Sequence, residues 1–135
     1  MSTETLLEII KKHRKELRIT TTDMSHHLGY KYPSGYVKIE NGTKKQLTFI
    51  QVVKIFQLLH IGFENVDLNK FTLQKLKTYR IKKGLTIKDM ASRLGYKYPS
   101  GYANLEYGKR KLSFEKAVEI SKILNVSLEE LFFES

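Results

Sequence analysis

The chain contains the stretch Leu28-Gly29-Tyr30-Lys31-Tyr32-Pro33-Ser34-Gly35-Tyr36 twice, because the same nine residues return at 94–102. Counterparts outside this block keep the same distance of 66 residues, as Arg14 does with Arg80. After Gln46, which we interpret as a one-residue insertion, the distance becomes 65. The sequence therefore predicts two homologous units in one chain.

The units are predicted at 1–66 and 67–135. The periodic apolar pattern lapses across 65–70, where Asn69 is a candidate cap for the next helix. Each unit has roughly sixty residues, which is near the lower size for a core that folds without disulfides or metals. We therefore expect two small domains and a short connector.

Composition favours a polyanionic partner. The 135 residues include 24 Lys and Arg against 14 Asp and Glu, which gives a net charge of +10. A basic balance of this size is typical of proteins that bind nucleic acid or an anionic surface. The chain has no Cys, so disulfides, cysteine zinc sites, iron–sulfur clusters and a cysteine nucleophile are excluded.

Helical signals dominate both units. In the second unit, Leu73, Leu76 and Tyr79 have the spacing of an amphipathic helix, and the segment 86–89 resembles a capping box that opens a second one. Glycines end the first three helices, at Gly84, Gly95 and Gly108, and serines cap the last two, at Ser113 and Ser127. The first unit repeats the plan, so we predict an all-α fold of two tandem five-helix domains.

Two short helices joined by a tight glycine turn, with a small residue inside the first helix, have the geometry of a helix-turn-helix. Ala91 and Gly95 fill these positions in the second unit, and Ser25 and Gly29 fill them in the first. The small side chain lets the second helix approach, and glycine makes the turn without strain.

The second unit resembles the XRE/Cro-type helix-turn-helix family of phage and bacterial repressors. The motifs that carry the resemblance are Leu85-Thr86, Met90-Ala91, Leu94-Gly95, Leu105-Glu106-Tyr107-Gly108-Lys109-Arg110-Lys111 and 124–131, and the first unit follows them at its own positions. The resemblance implies a five-helix DNA-binding domain in each unit. It also implies structural ion pairs between Arg14 and Glu40 and between Arg80 and Glu106. One departure is that eleven positions separate Gly95 from Glu106, which predicts a longer turn before the recognition helix.

Two registers are open for the start of that helix. Pro99 can occupy its first position, or Ser100 can cap it, so that Gly101 begins the helix. In both registers Tyr102 faces inward, as does its counterpart Tyr36, and both are predicted to lie in the core. Asn104 faces outward, and Lys38 replaces it in the first unit.

Candidate base-reading residues come from the turn and from the outward face of this helix. Asn pairs with adenine and Lys donates to guanine, so positions 38 and 104 should prefer different bases, unless they touch phosphate or solvent only. Tyr32 and Tyr98 fit either a thymine or sugar contact or a place in the core. The full set is Lys31, Tyr32, Ser34, Gly35, Lys38, Lys97, Tyr98, Ser100, Gly101 and Asn104.

Candidate phosphate contacts lie at the start of the second helix of each unit and in the cationic loop after the recognition helix. They are Thr20, Thr43, Lys44, Lys45, Thr86, Lys109, Arg110 and Lys111. The four histidines have no metal-ligand spacing, and no nucleotide-binding loop or catalytic constellation is present. We expect no enzyme activity, no metal and no cofactor.

These observations predict a sequence-specific regulator of transcription, a repressor, that reads two related half-sites of double-stranded DNA. Whether the half-sites are inverted or direct repeats stays open. The alternative is an antitoxin or anti-regulator that acts through a protein partner, and a third interpretation is non-specific architectural binding. No apolar stretch reaches the length of a membrane span, so we expect a cytoplasmic, nucleoid-associated protein. The apolar end, Leu131, Phe132 and Phe133, is a candidate homodimer contact.

Overall fold

The computed structural model describes residues 3–44 and 46–135, and the regular elements of these residues are helices, with one isolated bridge between Phe71 and Phe133. The predicted all-α class is therefore confirmed. The chain divides into two compact units, 1–64 and 65–135, so the boundary falls two residues before the predicted one.

Four helices form the described part of the first unit: α1 (Thr3–Glu16), α2 (Thr21–His27), α3 (Ser34–Glu40) and α4 (Phe49–Leu58). Helix α3 packs against α1 and α2. Every helix turns an apolar side toward one core, because its apolar residues recur at helical spacing. That core contains Leu6, Ile10, Met24, Tyr36, Ile39, Phe49, Val52, Val53, Ile55 and Leu59.

The second unit begins with a short 3-10 helix (Leu68–Lys70) and continues through α5 (Gln74–Lys82), α6 (Ile87–Arg93), α7 (Ser100–Glu106), α8 (Phe114–Leu124) and α9 (Leu128–Phe132). Its five α-helices follow the predicted plan. Helix α6 packs against α7, and α9 packs against α5 and α8. The core includes Leu76, Met90, Ala91, Tyr102, Leu105, Ala117, Ile120, Leu124 and Leu131.

Most of the predicted caps are present, and one is wrong. Ser113 accepts a hydrogen bond from the Lys116 N–H at 3.2 Å, and Ser127 accepts one from Glu130 at 3.2 Å. Asn69 does not cap α5, because it lies inside the 3-10 helix. The Thr72 hydroxyl accepts from the Gln74 N–H instead, at 3.1 Å.

The predicted fifth helix of the first unit is absent from its described residues. Residues 63–67, which correspond to α9 at the distance of 65 residues, contain a turn at 64–65 and no helix. The difference arises at Gly62, which stands where Ser127 caps α9 and has no side chain to accept a backbone N–H. Phe63 next to it has a positive φ of 60°, which is incompatible with a right-handed helix.

The side chains proposed for a homodimer contact at the apolar end of the chain are buried, so the predicted exposed apolar surface is wrong. Leu131 and Phe132 are fully buried and Phe133 is 4% exposed. Phe71, in the same unit, stacks on Phe132 at 6.3 Å between ring centroids, and the Thr72 N–H donates to the Phe132 carbonyl at 2.8 Å. These residues close the core of their own unit, because the segment before α5 covers them.

Arg18, two residues after α1, lies in the left-handed region with a φ of 58°, and Gly84 holds the corresponding place after α5 with a φ of 76°. A side chain in this region costs about 1–2 kcal/mol. We therefore expect Arg18→Gly to raise the free energy of unfolding of the first unit by about 1 kcal/mol, measured by urea denaturation. Gly84→Arg is the matched control and should destabilise the second unit by a similar amount, and an unchanged or lower stability of Arg18→Gly would contradict the strain argument.

Candidate nucleic-acid interface

Helices α2 and α6 begin with the predicted capping boxes. The Asp89 N–H donates to Thr86 Oγ1 at 3.0 Å, and the Thr86 N–H donates to Asp89 Oδ2 at 2.8 Å. This second bond lowers the pKa of the Asp89 carboxyl, because it stabilises the charged form. In the first unit, the Asp23 N–H donates to Thr20 Oγ1 at 3.0 Å and the Thr20 N–H donates to Asp23 Oδ2 at 3.4 Å. Both threonines are exposed and use their oxygen as an acceptor, so each hydroxyl hydrogen can still donate to a phosphate.

The turn between the two helices is held by Tyr96, a residue to which the sequence alone assigns no role. Tyr96 packs its ring on the backbone of Gly101, where a Cβ would lie 2.5 Å from ring carbons. Tyr30 packs on Gly35 in the same way. Both glycines were proposed to face bases. In the structure, glycine is needed at both positions because the tyrosine ring fills the space of a side chain. The signal in the sequence is that a Tyr precedes each Gly by five residues.

The small residue inside the first helix of the pair is buried as predicted. Ala91 is 2% exposed and Ser25 is 2% exposed. Ser25 adds two hydrogen bonds, donating through Oγ to the Pro33 carbonyl at 2.7 Å and accepting from the Tyr36 N–H at 3.0 Å. In the second unit, Ala91 makes no such bond, and the Tyr102 N–H donates to the Pro99 carbonyl at 3.2 Å.

The recognition-helix candidates α3 and α7 start directly after Pro33 and Pro99. Pro99 has the helical torsions φ −56° and ψ −29°, and its carbonyl accepts from the Ala103 N–H at 3.0 Å. Pro99 stands at the cap position and Ser100 is the first residue of α7, so neither predicted register occurs. The chain enters the helix at the proline, whose fixed φ favours this.

The proposed base-reading residues of this helix occupy different environments. Ser34, Ser100 and Lys38 are exposed, whereas Asn104 is half-buried. The Asn104 carbonyl accepts from the N–H groups of both Lys109 and Arg110, at 2.9 and 3.2 Å. The backbone of the cationic loop is thereby fixed to the end of α7, so the loop and the helix face form one surface.

The cationic loop of the second unit is solvent-facing. Lys109, Arg110 and Lys111 are exposed, and the Arg110 guanidinium lies 5.7 Å from the centroid of the Tyr96 ring. In the first unit, Thr43 is exposed and Lys44 is half-buried. Lys45 lies outside the described residues.

Both tyrosines that precede the recognition helix are outside the core. Tyr32 is 62% exposed and Tyr98 is 63% exposed. Tyr36 and Tyr102 are completely buried, which confirms the core placement predicted for them. Burial raises the pKa of the Tyr102 phenol, whose hydroxyl donates to Glu106 Oε1 at 3.2 Å.

An ion pair joins the end of each recognition-helix candidate to the first helix of its unit. Arg80 Nε lies 2.9 Å from Glu106 Oε1, and Arg14 Nε lies 2.9 Å from Glu40 Oε2. Each arginine also donates to a backbone carbonyl, Arg80 to Leu85 at 3.0 Å. The hydrogen bond to Glu106 raises the pKa of Arg80. Arg80 and Glu106 are 8% and 7% exposed, so they hold the helix and are not available to DNA.

Within residues 3–44 and 46–135, no group of three or more His, Asp or Glu side chains is placed to hold a metal ion. His26 and His27 are exposed neighbours whose rings meet edge to face at 5.9 Å. None of the described helices has the length and apolarity needed to cross a bilayer.

Residues 76–131 match a family model described as helix-turn-helix. The matched segment lies within the second unit and covers α6 and α7, the pair described above. No curated protein and no solved structure matches the chain significantly.

Proposed function

We propose that the protein is a sequence-specific double-stranded DNA-binding regulator, a repressor, in which each unit places its recognition helix in the major groove. The observation that carries the proposal is the surface formed by the turn, the start of α7 and the cationic loop. Its backbone is fixed by Tyr96, Pro99 and the Asn104 carbonyl, and its exposed side chains are polar or cationic apart from the Tyr98 ring. The helix-turn-helix match of residues 76–131 supports it.

Within this proposal the two units read related but different half-sites. The nine repeated residues give both units the same turn, so bases read from the turn should be shared. Lys38 and Asn104 then differ at the outward position of the helix. The cationic loops and the caps Thr20 and Thr86 hold the phosphates on either side.

Salt dependence tests DNA binding against the protein-partner alternative. The logarithm of the affinity for duplex DNA should fall linearly with the logarithm of salt concentration, by about 0.9 per neutralised phosphate. Lys109→Ala should reduce this slope by about 1 and weaken all sequences alike. Fluorescence anisotropy at several salt concentrations measures both quantities.

Lys77→Ala is the matched control, because Lys77 is an exposed lysine on α5, outside the helix pair. Its slope should equal that of the unchanged protein. A chain that binds duplex DNA without a salt slope, or not at all, would favour the antitoxin or anti-regulator alternative.

Exchanging Lys38 and Asn104 tests the base contacts. Lys donates to guanine O6 and N7, and Asn pairs with the adenine edge, so each contact discriminates by about 1–3 kcal/mol. The double variant Lys38→Asn/Asn104→Lys should therefore exchange the preferred base between the two half-sites, with about tenfold changes in relative affinity. Footprinting on duplexes that carry the half-sites as inverted or as direct repeats measures the base preference of each unit. Unchanged preferences would assign both residues to phosphate or solvent.

A further inference from the structure

Each unit holds one tyrosine and one lysine side by side at the tip of its turn. The Lys97 ammonium lies 5.6 Å from the centroid of the Tyr98 ring, and the Lys31 ammonium lies 5.6 Å from that of Tyr32. The two rings are about equally exposed, and all four side chains face solvent. Neither pair contributes to the core, although the backbone on both sides of each pair is held by hydrogen bonds.

The backbone that carries the second pair is fixed on both sides. Before it, the Tyr96 N–H donates to the Ala91 carbonyl at 2.9 Å, and the Tyr96 ring sits on Gly101. After it, the Gly101 N–H donates to the Tyr98 carbonyl at 3.1 Å. The first unit makes the same bonds, from Tyr30 to Ser25 and from Gly35 to Tyr32, at 2.9 and 3.1 Å. The exposed pair is therefore presented in the same way twice.

The chemistry of the pair fits two neighbouring base pairs. An aromatic face offers apolar contact, and the apolar group that base edges present in the major groove is the thymine C5 methyl. An ammonium offers hydrogen bonds to guanine O6 and N7. Successive base pairs rise by about 3.4 Å, so two groups 5.6 Å apart with flexible ends can reach adjacent positions.

We propose that Lys97 and Tyr98, and likewise Lys31 and Tyr32, read a guanine next to a thymine, with the ring on the thymine methyl and the ammonium on the guanine edge. This inference rests on the proposed function. It assigns a shared thymine–guanine step to both half-sites, beside the position where Lys38 and Asn104 make them differ.

The test removes the methyl group from the DNA. A duplex selected by the full chain is resynthesised with each thymine in turn replaced by deoxyuridine, and the affinity is measured by anisotropy. One thymine in each half-site should lose affinity by about fourfold, which corresponds to burial of one methyl group. Tyr98→Ala should abolish this sensitivity in one half-site, and Tyr32→Ala in the other.

Tyr98→Phe should keep the sensitivity, because the ring remains. Tyr107→Ala is the control, since Tyr107 is 61% exposed but follows α7, and it should leave both sensitivities unchanged. Specific binding in which every thymine tolerates deoxyuridine would overturn the inference and leave the proposed function standing. Sensitivity that survives in both alanine variants would also overturn it. If no preferred duplex can be selected, the proposed function fails, and the inference fails with it.

Discussion

Glu106→Ala is expected to lower the free energy of unfolding of the second unit by about 3–5 kcal/mol, because it leaves a buried guanidinium without its counter-charge. Arg80 Nε and Nη2 donate to the two carboxylate oxygens of Glu106 at 2.9 and 3.3 Å, and the Tyr102 hydroxyl loses its acceptor as well. A loss of this size approaches the whole stability of a small domain. Urea denaturation followed by circular dichroism measures it.

Two control variants distinguish the cost of an unpaired buried charge from the effect of removing an exposed carboxylate. Glu119→Ala removes a carboxylate that is 48% exposed and lies 3.2 Å from Lys116, so it should cost less than about 1 kcal/mol. Arg80→Met/Glu106→Leu removes both buried charges and should recover most of the stability. A Glu106→Ala variant that is no less stable than Glu119→Ala would contradict the structural role of the pair.

Gly101→Ala is expected to destabilise the second unit by about 2 kcal/mol, within the range for overfilled sites. The sign is diagnostic, because alanine is favoured over glycine inside an ordinary helix by about 0.5–1 kcal/mol. Gly101 is the second residue of α7, yet its new Cβ would lie 2.5 Å from the Tyr96 ring. The ring or the helix must therefore move, and DNA affinity should fall together with thermal stability.

Ser100→Ala is the matched control, because Ser100 precedes Gly101 in α7, is exposed and makes no side-chain cap. Its stability should stay within about 0.5 kcal/mol of the unchanged protein. If Gly101→Ala proves more stable than the unchanged protein, Tyr96 does not fix the start of α7.

Local signals in the sequence were sufficient for most of the fold. The Thr86 capping box and the Ser113 and Ser127 caps depend on residues within three positions of each other, and each forms as predicted. The absence of a helix after Gly62 follows the same logic, because the missing cap is visible in the sequence. The repeat predicts the helix nevertheless, because the two units are similar over most of their length.

Contacts between distant residues were harder to predict. The apolar end at Phe132 and Phe133 has the composition of an exposed interface, and only the placement of Phe71 before α5 shows that it is covered. The packing of the turn was also not predictable from the sequence. Tyr36 and Tyr102 were correctly placed in the core by helical spacing, whereas Tyr30 and Tyr96 lie in an irregular segment where no periodicity predicts a direction.

The most direct test of sequence-specific DNA binding is selection from a random duplex pool at near-physiological salt, followed by sequencing. We expect two related half-sites at a fixed spacing, which share the bases under the repeated turn and differ at one position. Their relative orientation gives the arrangement of the two units on DNA. Binding without any recovered motif would contradict sequence-specific recognition and favour an architectural role, and the absence of binding would contradict the DNA-binding function itself.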